Sequence, residues 1–248
     1  MKQWRQFSEW IERSRKHEYE SLTPEPFPPL QVYLGGSRPT RLLYFTKDFL
    51  CNHWMLRGEF PKHWIALVRY GIPTRSYLEE VRRRSEELSL PICFVGDLDP
   101  LDLTIYLMLR RGDVMLGPKS RPALPVHYFG VSDRWLEMRP SSKRELRGSL
   151  GMERLEQEHL DFLLGVLPNL RDLVGERCFE LLAAGFKLEL EGACNASVAG
   201  KQFPSRLLAY LDRSSPGAAS TVSTGRSSKG RRRAAGRRDD DALSARGK

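Results

Sequence analysis

The stretch ICFVGDLDPLDLTIYLML, residues 92–109, combines a short apolar strand, an acidic turn and the start of a helix. The apolar run Ile92–Val95 ends at a glycine, and Asp97 and Asp99 follow directly. Pro100 ends the extended segment, and apolar residues at helical spacing come after it. A buried strand that delivers two carboxylates to its carboxyl end, just before a helix, predicts a site for a hard cation such as Mg²⁺.

The same two carboxylates have a simpler interpretation. Aspartate is favoured at the amino end of a helix, where its side chain accepts hydrogen bonds from free backbone N–H groups. Asp97 and Asp99 would then be helix caps, and the turn would need no metal. Both interpretations are open at the level of the sequence.

The composition describes a soluble protein. The chain has 248 residues, of which 40% are hydrophobic and 29% charged, so it can bury a substantial core. Its apolar runs are far shorter than the ~20 residues that cross a membrane, and its amino terminus does not resemble a secretory signal. Its four cysteines are far apart and form no Cys-x-x-Cys pair, which argues against structural zinc. We therefore expect a cytoplasmic protein with no membrane association.

The positive charge is concentrated at the carboxyl end. From Ser214 to Lys248 there are nine Arg or Lys and three Asp, so this tail carries +6 of the formal net charge of +9. The tail has few large apolar side chains, which predicts disorder. Clustered basic residues, above all Arg231, Arg232 and Arg233, predict a sequence-independent contact with nucleic-acid phosphates. A tail that only aids solubility is the alternative.

The body of the chain alternates between strand and helix patterns. Residues 41–135 contain short apolar segments separated by helical patterns of about 10 to 15 residues, which predicts a mostly parallel α/β sheet flanked by helices. The predicted strands are RLLYFT, HWIALVRY, ICFVGD and VHYFG, and the helices between them are KDFLCNHWMLRG, TRSYLEEVRRRSEEL and LDLTIYLMLRRG. Two further helices are predicted over 155–166 and 176–190.

These patterns divide the chain into four parts. Residues 1–40 read as an amphipathic helix, over 1–20, followed by a linker rich in proline and glycine. An α/β domain with helices at its carboxyl end follows over 41–192. A connecting segment, 193–213, leads to the basic tail, 214–248.

Five motifs in this order carry a family resemblance. They are Gly71-Ile72-Pro73-Thr74-Arg75, GDLDP at 96–100, IYLMLRRG at 105–112, HYFGV at 127–131 and Gly185-Phe186-Lys187-Leu188-Glu189. Over residues 40–192 the chain resembles the Toprim domain of type IIB topoisomerases (topoisomerase VI), which lies in their A subunit, and of the related meiotic double-strand-break transesterases. The resemblance implies a Toprim-like, Rossmann-like fold, a magnesium site at Asp97 and Asp99, and DNA as a partner.

Three arginines in or near these motifs are candidate phosphate contacts. Arg75 begins a predicted helix after the Gly-x-Pro motif, and Arg110 and Arg111 end the helix that follows the acidic turn. Arginine commonly positions nucleic-acid backbones. A solvated helix face is the alternative for all three.

Two departures from the family pattern concern catalysis. Thr46 stands where the family has a metal-binding glutamate at the end of its first strand, and Asp48 could replace that glutamate only if the strand end were shifted. In the family a winged-helix domain with the attacking tyrosine precedes the Toprim domain, whereas residues 1–40 are too few for such a domain. Without these groups a phosphoryl transfer keeps its electrostatics but loses its nucleophile and proton transfer.

Two functions of different classes follow. The first is a stand-alone Toprim protein of DNA metabolism that binds Mg²⁺ and DNA. Any topoisomerase or endonuclease activity would then need a separately encoded partner that carries the tyrosine. The second is a catalytically degenerate scaffold that docks to a topoisomerase-B-like ATPase or another protein. A homodimer would fit the family in either case.

Overall fold

A five-stranded sheet forms the centre of the computed structural model, which describes residues 30–111, 124–139, 148–195 and 199–213. The strands are β1 (Gln31–Leu34), β2 (Arg41–Phe45), β3 (Trp64–Val68), β4 (Ile92–Val95) and β5 (Val126–Tyr128). They lie in the order β1-β3-β2-β4-β5, with β1 antiparallel to β3 and all other neighbours parallel. A two-stranded antiparallel hairpin pairs β6 (Leu150–Gly151) with β7 (Phe186–Lys187).

Nine helices lie wholly within the described ranges. They are α1 (Phe49–Leu56), α2 (Arg75–Leu88), α3 (Pro100–Arg111), α4 (Asp133–Glu137), α5 (Arg154–Val166), α6 (Leu170–Val174), α7 (Glu176–Ala183), α8 (Leu190–Cys194) and α9 (Phe203–Arg213). The predicted mixed α/β fold, with a mostly parallel sheet flanked by helices, is confirmed. None of these helices has both the length and the apolar character needed to cross a bilayer.

The sheet is buried because its parallel strands are almost entirely apolar. All five residues of β3 and all four of β4 are buried. Continuous apolar strands are typical of parallel sheets covered on both faces. Helix α3 packs against α5 and β5. Of the ten residues from Leu101 to Arg110, eight are buried. This packing fixes the amino end of α3 beside the acidic turn.

The structure corrects two element predictions. Residues 31–34, read as part of a linker, form β1 and pair with β3, so the sheet begins before residue 41. The helix predicted over 176–190 ends at Ala183 because Gly185 has φ +81°, a left-handed conformation that glycine adopts without strain. The chain then turns into β7. The predicted helix over 1–20 and the basic tail lie outside the described residues.

Helix α9 is anchored to the amino ends of β2 and β3. The Arg41 guanidinium donates hydrogen bonds to the backbone carbonyls of Leu211 and Asp212. The Asp212 carboxylate lies 2.8 Å from His63 Nε2 and accepts a 3.1 Å bond from Trp64 Nε1. The last turn of α9 is therefore held at the edge of the sheet opposite to the one where β2 and β4 end.

The four cysteines are free thiols, with Cys51, Cys93 and Cys178 buried and Cys194 partly buried. Burial raises the pKa of each thiol above its ordinary value. A protonated, buried thiol behaves as a small apolar side chain. These cysteines therefore contribute to the packing of the protein interior.

Candidate cation site at the carboxyl edge of the sheet

The acidic turn after β4 is held in an extended conformation by a second segment. Leu98 forms an isolated antiparallel bridge with Leu188, with N···O distances of 2.9 and 3.1 Å. Side chains alternate along an extended chain, so Asp97 and Asp99 share one face while Leu98 is buried on the other. The bridge therefore places both carboxylates at the carboxyl edge of the sheet.

Asp99 caps helix α3. Its Oδ1 accepts a 2.7 Å hydrogen bond from the backbone N–H of Asp102, and Pro100 occupies the first helical position. This is the geometry that favours aspartate before a helix and proline at its start. The helix-cap interpretation is thus confirmed for one oxygen of Asp99, and it leaves the second oxygen for another partner.

Asp102 joins the ends of β2 and β4 to the first turn of α3. Its Oδ2 accepts hydrogen bonds of 2.5 Å from the backbone N–H of Asp97 and from the hydroxyl of Thr46. Thr46 stands where the resemblance places a glutamate. Here it is buried, and its hydroxyl links the end of β2 to helix α3. Asp102 was not identified from the sequence. The signal that could have indicated it is its position three residues after a helix-capping aspartate.

A lysine ammonium lies among three carboxylates at this edge. Lys47 Nζ is 2.9 Å from Asp97 Oδ2, 2.7 Å from Glu191 Oε2 and 3.4 Å from Glu189 Oε2. The backbone N–H of Leu190 donates to Asp97 Oδ1 at 2.7 Å. The Gly-x-Lys-x-Glu motif that ends at Glu189 is thus brought beside the acidic turn. Neither Lys47 nor Glu191 was identified from the sequence.

A second lysine lies near Asp99. Lys187 Nζ forms a 2.6 Å ion pair with Glu156 Oε1, and both charges act on the Asp99 carboxyl. Lys187 belongs to β7, and Glu156 to the first turn of α5. The hairpin and α5 therefore place a second lysine–glutamate ion pair near Asp99.

The three aspartates are crowded and poorly hydrated. Burial, and then the neighbouring Asp97, raise the pKa of Asp99 to about 7. Burial also raises the pKa of Asp97, against the lowering effect of Lys47, and it raises the pKa of Asp102 well above its ordinary value. A bound cation would favour the ionised forms of these groups.

The residues at this edge fit a cation. Among the described residues, no three side chains form a preformed metal cage. Carboxylate oxygens from three positions nevertheless surround the Lys47 ammonium, which stands in for a cation. Hard oxygen donors of this kind are the ligands that Mg²⁺ and Ca²⁺ prefer.

Asp48 has hydrogen-bond partners of its own. Its carboxylate accepts hydrogen bonds from the Tyr70 hydroxyl and, at 2.8 Å, from the Asn52 side chain. The backbone N–H of Asp48 donates to the Tyr70 hydroxyl at 3.2 Å. These contacts hold Asp48 beside α1 and the end of β3.

The predicted phosphate contacts are dispersed. Arg75 is the first residue of α2. Arg110 and Arg111 end α3, and at 1.5 Å per residue they lie roughly 15 Å along the helix from its acidic start. Arg110 lines a cavity of about 500 Å³ beside β5. The structure therefore separates Arg110 and Arg111 from the Asp97 carboxylate. Residues 231–233 lie outside the described ranges, and the phosphate role of all these arginines stays a prediction.

Comparison with known proteins gives a partial match. No protein-family model matches the chain. Over 111 residues the chain is 32% identical to the A subunit of type 2 DNA topoisomerase 6 from Hyperthermus butylicus. The match covers 44% of this chain and 28% of that protein, so the chain spans less than a third of its relative. We conclude that this α/β chain is similar, over part of its length, to the A subunit of a topoisomerase 6.

Proposed function

We propose that this chain is a Toprim-like protein of DNA metabolism that holds Mg²⁺ at Asp97 and Asp99 and acts on DNA together with a partner protein. The observation that carries the proposal is the pair of buried carboxylates, Asp97 and Asp99, at the carboxyl edge of the sheet, where Asp97 already holds the Lys47 ammonium. Ligands of α/β sheets bind at this edge. The partial similarity to a topoisomerase 6 supports the choice of DNA as substrate.

The chain's own residues would hold the metal and position DNA without carrying the chemical step. Asp97 Oδ2 and the second oxygen of Asp99 are the oxygens that would bind Mg²⁺, which supplies charge neutralisation for a phosphate when bound. Thr46 has no carboxylate to accept a proton. The proton transfer would therefore come from the partner protein, which in this proposal also supplies the nucleophile. A homodimer and a cytoplasmic location belong to the same proposal.

A metal-independent scaffold that docks to an ATPase or another protein is the second candidate. The observation that favours it is the Lys47 ammonium, which already compensates Asp97 without a metal. The presence of Thr46, bonded to Asp102, instead of a glutamate points the same way. Binding of Mg²⁺ separates the two candidates.

Mg²⁺ is expected to stabilise the protein through Asp97 and Asp99. At ten times the dissociation constant, a ligand bound only by the folded state adds ~1.4 kcal/mol, which corresponds to roughly 3–6 °C in Tm. The double variant Asp97→Asn/Asp99→Asn should lose this gain, measured by differential scanning calorimetry. Asp161→Asn, at an exposed aspartate on α5, is the matched control and should keep it. Equal responses of wild type and double variant would favour the scaffold.

DNA binding is expected to depend steeply on salt and on the basic tail. Residues 214–248 carry +6 of the net +9, so their deletion should remove most of the affinity. The logarithm of the association constant should fall by roughly 0.9 per neutralised phosphate for each tenfold rise in salt. Fluorescence anisotropy with a labelled duplex measures both effects. An unchanged salt slope after the deletion would assign the contact to the folded body.

A further inference from the structure

The Lys47 ammonium joins three separate segments at the acidic edge. Lys47 follows β2, Asp97 follows β4, and Glu189 and Glu191 lie on either side of the first residue of α8. The Asp97 side chain is 3% exposed and that of Lys47 19%, so the ammonium covers the buried carboxylate from the solvent side. Such a partly buried ion pair is far less screened by salt than a surface pair.

The position of this ammonium conflicts with that of a bound divalent cation. Asp97 Oδ1 already accepts the Leu190 N–H, so Oδ2 is the oxygen that Asp97 can offer to a metal. Lys47 Nζ lies 2.9 Å from that same oxygen. A magnesium ion would bind it at about 2.0–2.1 Å, and two positive charges so close together repel each other strongly.

A lysine side chain is well suited to act as an exchangeable counter-ion. Its ammonium is a compact, strongly hydrated charge on a flexible four-carbon chain, so it can leave one partner for solvent without moving the backbone. Glu191, whose side chain is 48% exposed, offers Lys47 a partner at the mouth of the site after it leaves Asp97. The ammonium would then remain close to a ligand bound at the edge.

We propose that Lys47 is a tethered counter-ion that occupies the cation position of this site and leaves Asp97 when a divalent cation binds there. The proposal rests on the proposed function, because it describes how the same site takes up its metal. It makes Lys47 a determinant of metal affinity: the ammonium stabilises the metal-free state and competes with the metal for Asp97.

Isothermal titration with MgCl₂ tests this competition. Lys47→Met should bind Mg²⁺ roughly tenfold more tightly than wild type, because the competing charge is gone. Lys47→Arg keeps the charge and should bind as weakly as wild type. Lys62→Met, at an exposed lysine before β3, is the control and should not change the affinity.

A second measurement follows Lys47 in the wild-type protein. Acylation by an N-hydroxysuccinimide ester, read by mass spectrometry, should be slow at Lys47 relative to Lys62 and should accelerate when Mg²⁺ is added. This readout does not need a variant that folds. An unchanged rate at Lys47 on saturation with Mg²⁺ would overturn the proposal.

The outcomes separate the two proposals. Wild type that binds Mg²⁺ with the same affinity as Lys47→Met would overturn the counter-ion role and leave the metal function standing. Binding by Lys47→Met alone would refute Mg²⁺ binding by the native chain and support Lys47 as its permanent substitute. Absence of binding in both would overturn both proposals.

Discussion

Replacing Asp102 by alanine is expected to destabilise the protein by roughly 2–5 kcal/mol, a large part of the ~5–15 kcal/mol that stabilises a typical domain. The Asp102 carboxylate accepts two buried hydrogen bonds, one from the Asp97 backbone and one from Thr46. A buried donor that loses its acceptor costs about 1–3 kcal/mol. Alanine would leave both donors without a partner and would release the acidic turn from α3.

Asp102→Asn is the matched variant because an amide oxygen can accept the same hydrogen bonds. Burial and two neighbouring carboxylates raise the pKa of Asp102, so loss of its charge should cost little. We expect less than half of the alanine effect, measured as a change in the urea midpoint at constant slope. If both variants were equally unstable, the charge of Asp102 rather than its hydrogen bonds would hold the turn together.

His159 is expected to lower the stability of the protein in acid, whereas the raised pKa values of Asp97, Asp99 and Asp102 act in the opposite direction. Its imidazole is buried between α5 and α3, with Nε2 2.9 Å from the Thr104 hydroxyl, and burial lowers its pKa to about 3. The unfolded chain takes up this proton near the ordinary pKa of about 6.5, whereas the folded chain does not. The contribution to stability is thus complete above pH 6.5 and is lost progressively as the pH falls toward 3, at roughly 1.4 kcal/mol per pH unit.

Urea unfolding between pH 7 and pH 4 measures this acid sensitivity. His159→Gln can keep a hydrogen bond to Thr104 but cannot titrate, so the unfolding free energy of wild type should fall relative to that of the variant as the pH is lowered. His53→Gln, at a partly exposed histidine on α1, should retain the wild-type slope because His159 is still present. A variant at 159 that is as acid-sensitive as wild type would show that other groups cause the loss.

Local sequence patterns predicted the central strands of the sheet better than its edge strand β1. The apolar runs of β2, β3 and β4 identify buried parallel strands because nearly every residue of such strands is covered. β1 was missed because it is an edge strand of four residues that alternates in burial and lies among prolines and glycines. Short edge strands carry a weak signal, and only their pairing with a neighbour defines them.

The candidate site, too, contains residues that the sequence identified and residues that it did not. Asp97 and Asp99 were identifiable because one strand end and one turn carry both. Lys47 and Glu191 were not, because their contact joins residues 144 positions apart. Which side chain reaches a carboxylate depends on how two distant segments pack, and this information is absent from local spacing.

The attachment of α9 determines where the basic tail leaves the folded body. Because α9 ends beside the first residues of β2 and β3, residue 213, which the basic tail follows in the sequence, lies at the edge of the sheet opposite to the acidic turn. The five residues of β2 separate these two edges by roughly 16 Å. A duplex that contacted both the carboxyl end of α9 and the acidic edge would have to span this distance, which is about five base pairs.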